Sequence, residues 1–218
     1  ENLPDLNETI TVPEDIFEEL TAQDASVAGF NPYEQPTVRD LLYGVLLPSG
    51  ADACETLARA VGGSEEGFVA MMNQKAEELG LTNTHFENCT GLHNDNHYST
   101  CRDIAVLMSE CLKSDTFREI VTREVYTTEA TASHPEGITL YDTMLHRFTS
   151  YEMSTTLENG AVIEGGKTGF TDEAGQCLVS FAEYGGEEYI LVTAEAMTDS
   201  GSAVDSIADA STVYGRLQ

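Results

Sequence analysis

The sequence predicts an α+β domain in which helices pack on an antiparallel sheet. Three observations predict it. Apolar residues recur at helical spacing through the first two thirds of the 218 residues, the period changes to two after Gly160, and an amphipathic stretch closes the chain. With 41% hydrophobic residues the chain can bury one sizeable core, so a single globular domain over 1–218 is expected.

The elements follow in order. "TVPEDIFEEL" reads as a short extended piece and then a helix with Pro13 at its first position, where the missing N–H is not needed. "TVRDLLYGVLLPSG" opens with Thr37 and Asp40 in capping-box spacing, sets Leu41, Leu42, Val45 and Leu46 on one face, and stops at Pro48. "ADACETLARAVGG" is a second helix closed by Gly62 and Gly63. "SEEGFVAMMNQKAEELG" is a third, with Ser64 as N-cap, acids in the first turn and Gly80 just past its end. After the polar stretch "TNTHFENCTGLHNDNHYS", a Thr-x-x-Asp cap at Thr100 starts a helix that runs to about Lys113. From Ser114 to Gly160 the pattern weakens to a short helix "DTFREIV", a β-rich "EVYTTEA" and polar loop. A strand through "EGGKTGF" then leads to "QCLVSFAEY" and "EEYILVTAEAM", which flank the two-residue hairpin signal Gly185-Gly186. "AVDSIADASTVYGRL" is the terminal helix.

Charge narrows the function. Against 38 Asp plus Glu stand 10 Lys plus Arg, a formal charge of -28, which excludes nucleic acid and anionic membrane surfaces as partners because their affinity comes from basic residues. No run is long enough to span a bilayer, and the first residues lack the basic-then-apolar pattern of a leader, so the chain reads as a piece of a longer protein whose only route to a membrane lies in other segments. Cys54, Cys89, Cys101, Cys111 and Cys177 are odd in number and lack C-x-x-C spacing, so buried thiols are expected rather than disulfides or zinc. His93 and His97 have metal-pair spacing, but "HNDNH" is rich in turn formers and lacks the Glu of a zinc-protease helix. No metal or cofactor is expected.

Two stretches can carry chemistry. Lys167-Thr168-Gly169 offers a cation, a hydroxyl and a side-chain-free position in one strand, which suits an extended peptide whose terminal carboxylate meets the Lys and Thr. The plainer reading is a solvent-facing lysine beside a glycine bulge. Ser49, in the tight "LPSGA" turn between two helices, is either turn chemistry or a catalytic hydroxyl. No G-x-S-x-G elbow or phosphate-binding loop is present.

Three segments in this order, "TVRDLLYGVLLPSGADAC", "THFENCTGLHNDNHYSTCRDIAVLM" and "GGKTGFTDEAGQCLVSFA", resemble the D-alanyl-D-alanine carboxypeptidases, the low-molecular-mass penicillin-binding proteins. The resemblance implies a β-lactamase/transpeptidase-like fold, a peptidoglycan peptide ending in D-Ala-D-Ala as substrate, β-lactams as ligands of the full-length protein, and an extracytoplasmic location in the cell envelope. That family builds its site from S-x-x-K, S-x-N and K-T-G motifs. By resemblance Ser49 is the serine of the second motif, relaying protons. Lys167 and Thr168 hold the substrate carboxylate, Gly169 completes that motif, and the Phe170 N–H is half of an oxyanion hole.

Two departures follow. Ala51 stands where the family has Asn, and Asp52 is the neighbour to consider as a substitute. No serine in the chain begins an S-x-x-K; Ser109 and Lys113 are four apart. The nucleophile and its base are therefore expected upstream of Glu1, a small C-terminal β-domain beyond Gln218, and this polypeptide alone is expected to be inactive. Without upstream strands, "EYILVTAEAM" should present a bare apolar edge. Two other readings are a non-catalytic peptidoglycan-binding relative, favoured by Ala51, and a β-lactamase, which needs a deacylating Glu in the loop before K-T-G; Glu129, Glu136 and Glu152 fall there, but none has the flanking pattern expected of it.

Overall fold

A computed structural model of the chain describes residues 5–196 and 204–218. The backbone forms two compact units, Glu1–Tyr98 with Val125–Tyr141, and Ser99–Glu124 with Asp142–Gln218. Residues 1–4 of the first segment, Met197 of the expected last strand and Ala203 of the expected last helix lie outside the described residues.

The first unit holds α1 (Ile16–Ala22), α2 (Val38–Leu46), α3 (Ala51–Gly62), α4 (Glu65–Glu78) and an antiparallel pair, β1 (Val125–Thr127) with β2 (Thr139–Tyr141). α2 starts as its sequence dictates: the Thr37 hydroxyl accepts the Asp40 N–H at 3.1 Å, and Asp40 Oδ2 accepts the Thr37 N–H at 3.1 Å. Asp40 Oδ1 also accepts the Tyr126 hydroxyl at 2.9 Å, and the Tyr126 ring stacks on Tyr43 with centroids 3.7 Å apart. A capping residue thus ties α2 to a strand far along the chain. Pro13 is not the first helical residue. Val12 exchanges backbone hydrogen bonds with Glu34 and Tyr33, which keeps the chain extended, and α1 begins only at Ile16. Val38, Leu41, Tyr43, Leu47, Ala53 and Ala58 are buried and supply the helical core.

The second unit holds α5 (Cys101–Cys111), α6 (Asp115–Val121), α7 (Leu145–Ser150), the strands β3 (Val162–Thr171), β4 (Gly175–Tyr184) and β5 (Glu187–Ala196), and α8 (Asp205–Tyr214). The sheet is antiparallel in the order β3-β4-β5. Gly185 and Gly186 at φ 64° and 86° make the β4–β5 turn, a conformation that L side chains resist. Ile163, Leu178 and Ala182 of the sheet meet Met144 and Phe148 on one side of the chain order and Ile207, Ala210 and Tyr214 of α8 on the other, forming one core. The Tyr214 hydroxyl is not wasted there: it donates to the Ser180 carbonyl at 2.9 Å. Among the described residues β5 has a strand partner on its β4 side alone.

The thiols are less buried than expected. Cys101, the first residue of α5, is exposed, and the other four cysteines are half-buried. All five are free.

Candidate active site

Two glycines seat β3 against its neighbours. A Cβ on Gly165 would lie 2.2 Å from the Val121 carbonyl oxygen, and one on Gly166 would lie 2.3 Å from that of Val179. These positions therefore exclude side chains for reasons internal to the fold. Gly169 differs. Its Cβ would meet only Cys177 Cβ, at 3.7 Å, an ordinary contact, so nothing in its surroundings requires glycine.

Lys167, Thr168, Gly169 and Phe170 pair with Val179, Leu178, Cys177 and Gln176 of β4. β3 ends the sheet, and along its other edge the described residues place backbone partners only near its start, where Val162 bridges Thr156 and the Ile163 N–H reaches the Thr155 carbonyl. Lys167 is half-buried, with its Nζ donating to the Thr168 carbonyl at 2.8 Å. The Thr168 side chain is buried and shares a 2.6 Å hydroxyl contact with Thr143. Phe170 is 60% exposed, an unusual position for a phenyl ring. Four consecutive residues thus present a cation, a fixed hydroxyl, a bare backbone and an exposed ring along one edge strand.

Behind this strand lies a group that sequence reasoning missed. Asp142 is fully buried, and its Oδ1 accepts the N–H groups of Met144 at 2.8 Å and Leu145 at 2.6 Å, starting α7. Burial pushes this carboxyl up to about 6, opposed by those N–H donors and by the charges of Lys167 and Arg147. An Asp ahead of "MLHRF" is the sequence signal that could have found it.

Ser49 lies in the first unit, between α2 and α3, half-buried and at φ 62°, a left-handed conformation rare for a residue with a Cβ. The turn is held from both sides. The Gly50 N–H donates to the Gly44 carbonyl at 2.9 Å, and a Cβ on Gly50 would sit 2.7 Å from both that oxygen and the Ala28 nitrogen. Ala51 is buried. The Asp52 carboxylate turns to the backbone. Its Oδ1 accepts the N–H groups of Ala28 at 2.7 Å and Ala53 at 3.0 Å, and its Oδ2 those of Gly29 and Phe30, both at 3.0 Å. Four backbone donors occupy the carboxylate, which clasps the loop before α2 to the start of α3.

Among the described residues one group, in the first unit, has metal-ligand chemistry. Ligand atoms of Glu55, Glu65 and Cys89 lie within 4.8 Å of one another, beside a cavity of about 220 Å³ bounded by Glu19, Arg59, Glu87 and His93. The contacts describe an anchor for the polar loop: the Cys89 N–H donates to Glu65 at 3.1 Å and its thiol to Glu55 at 3.6 Å. Burial and the neighbouring carboxylates push the thiol well above its usual range, which keeps it a neutral donor. Burial and then Glu65 also raise Glu55. In the second unit a cavity of about 770 Å³ is bounded by Arg118, Glu124, Phe148, Ile163 and Glu164, at the end of β3 away from Lys167.

Residues 4–198 match the D-alanyl-D-alanine carboxypeptidase family. The chain belongs to that family. It is 36% identical over 168 residues to the D-alanyl-D-alanine carboxypeptidase DacF of Bacillus subtilis, an alignment covering 77% of this chain and 40% of that protein. With the D-alanyl-D-alanine carboxypeptidase of Streptomyces sp. strain K15 it shares 35% identity over 191 residues, 85% of this chain and 63% of the relative. The crystal structure of the Streptomyces K15 DD-transpeptidase superposes with a TM-score of 0.81 at 31% identity, covering 99% of this chain and 81% of that one. The chain therefore spans 40% and 63% of the length of these two curated carboxypeptidases, and its fold is the transpeptidase-like α+β class that the sequence predicts.

Proposed function

We propose that the chain is the part of a serine-type D-Ala-D-Ala carboxypeptidase that carries the second and third motifs of the family. In this reading Lys167 and Thr168 hold the terminal carboxylate of a peptidoglycan stem peptide lying along β3, and the Phe170 N–H supports the developing oxyanion. Ser49 relays protons. The observation that carries the reading is Gly169: beside the cation and the hydroxyl the edge strand has no side chain, and the fold leaves that space open to an approaching backbone. The Lys167 ammonium, bonded at 2.8 Å to the next residue's carbonyl, has a partner that it can exchange for a carboxylate. Membership of the family supports the substrate class, β-lactam binding by the full-length protein and a cell-envelope location. No helix among the described residues is long and apolar enough to cross a membrane.

The three lysines of the chain, Lys75, Lys113 and Lys167, are preceded at the third position by Met72, Glu110 and Glu164, so no S-x-x-K exists within it. We therefore expect the 218-residue polypeptide alone neither to cleave D-Ala-D-Ala peptides nor to form a penicillin adduct. Intact-mass spectrometry after incubation with benzylpenicillin tests this, and an adduct mapped to Ser49 would sink it. A second reading, a peptide-binding relative without catalysis, is favoured by one observation: Ala51 has no side-chain amide, and the neighbouring Asp52 carboxylate is already engaged by four backbone donors. The two readings diverge when a segment bearing S-x-x-K is restored: turnover appears in the first and binding without turnover in the second.

A further inference from the structure

We propose that Asp142 is a positioning residue whose own proton sets how strongly Lys167 attracts a carboxylate. The inference rests on the reading of Lys167 as the anion holder and adds the group that regulates it.

Asp142 is fully buried, its N–H donates to the Glu124 carbonyl at 2.8 Å and its carbonyl accepts the His146 N–H at 3.1 Å. One carboxyl oxygen is satisfied by Met144 and Leu145, while Oδ2 is buried with no hydrogen-bond partner among the described residues. The next residue, Thr143, makes the 2.6 Å hydroxyl contact with Thr168, and Met144 packs its sulfur against Gly166, 2.9 Å from where a Cβ would stand. Thr143 and Met144 thus lie against Thr168 and Gly166, and the charge of Lys167, between those two positions on β3, acts on the Asp142 carboxyl. The charged groups that act on Asp142 are Lys167 from β3 and Arg147 from α7; His146 and Glu124, which meet its backbone, face each other at 3.7 Å.

A buried carboxyl oxygen without a donor makes the anion costly and favours the protonated form. Burial accordingly pushes Asp142 up to about 6, with the Leu145 and Met144 N–H groups, Lys167 and then Arg147 pulling it back. The proton therefore sits within reach of neutrality. When Asp142 is ionised, part of the Lys167 field terminates on it and an incoming carboxylate meets a second negative charge. When it is protonated, the whole ammonium charge faces the ligand. Linkage makes the effect reciprocal: an anion bound at Lys167 must raise the Asp142 midpoint by the factor through which protonation tightens the anion.

The test uses the 218-residue chain with carbon-13-labelled aspartate carboxyls, the Asp142 resonance being assigned by its loss in Asp142→Asn. In Lys167→Met the Asp142 midpoint is expected to rise by about one unit, the shift that an opposite charge at close range produces. N-acetyl-D-alanine is expected to bind the parent chain more tightly below the Asp142 midpoint than above it. Asp142→Asn should remove that slope and hold the tighter affinity at both pH values. A purely structural role would move binding equally across pH. Equal Asp142 midpoints in the parent and Lys167→Met overturn the proposal, as does Lys167-dependent binding with no pH slope. Binding that is absent or indifferent to Lys167→Met overturns the carboxylate reading itself, and the proposal with it.

Discussion

At the scale of single residues, the buried acids of this chain are held by donors that its sequence supplies nearby or from far away. Glu34 is 4% exposed, and burial alone would raise its carboxyl. The Asn31 N–H at 2.8 Å, the Thr131 hydroxyl and His134 Nδ1 at 2.8 Å outweigh burial and leave it below the usual carboxylate range. A folded value below the unfolded one means that this stabilisation is in place above the unfolded value of 4.5 and is lost as pH falls through the folded value. Glu34→Gln should therefore cost about 1–3 kcal/mol near neutrality, with the gap to the parent closing in acid. Urea denaturation at several pH values checks it, and a gap that widens on acidification contradicts the assignment. Asp142 has the opposite sign: raised by burial to about 6, it favours the folded state below its unfolded value of 3.8 and loses that advantage as pH rises through 6.

At the scale of elements, the three glycines of β3 separate folding from function. Gly165→Ala and Gly166→Ala place a methyl group within 2.3 Å of a backbone oxygen and should each destabilise by about 1–3 kcal/mol or more, whereas Gly169→Ala should change stability by less than about 1 kcal/mol. Thermal melts of the three variants decide this, and an unstable Gly169→Ala would move that glycine into the same structural class as the other two. The pattern also explains what the sequence made legible. Helices α2 to α5 carry their own capping residues, Thr37, Gly63, Ser64 and Thr100, and the β4–β5 hairpin carries Gly185-Gly186, so local rules suffice. β2 and α7 fall in the stretch read as loop because their stability is not local. β2 is three residues paired to β1, and α7 is six residues anchored by Phe148 in the core and Asp142 at its start. Of the candidate site, the Lys167 to Phe170 run and the Ser49 turn were visible as residue types in sequence. Asp142 was not, because a lone Asp in a polar stretch shows nothing of its burial.

At the scale of the whole molecule, a charge of -28 opposes an apolar edge. β5 carries Ile190, Leu191 and Val192, and among the described residues its outer edge pairs with no strand. Such an edge invites pairing with another chain, and like charge resists it. Screening shortens from about 30 Å at 0.01 M salt to about 3 Å at 1 M, so association should rise with ionic strength. Sedimentation velocity at low and high salt measures it, and a mass independent of salt would remove the edge from consideration. The Asp52 clasp also has a consequence that reaches past its own contacts. Ala28, Gly29 and Phe30 belong to no helix or strand, and Gly29 is exposed, yet their three amides end on a buried carboxylate. In deuterated solvent these loop amides should retain their protons about as long as those of the α3 interior, a slow-exchanging island where a map of regular structure shows none.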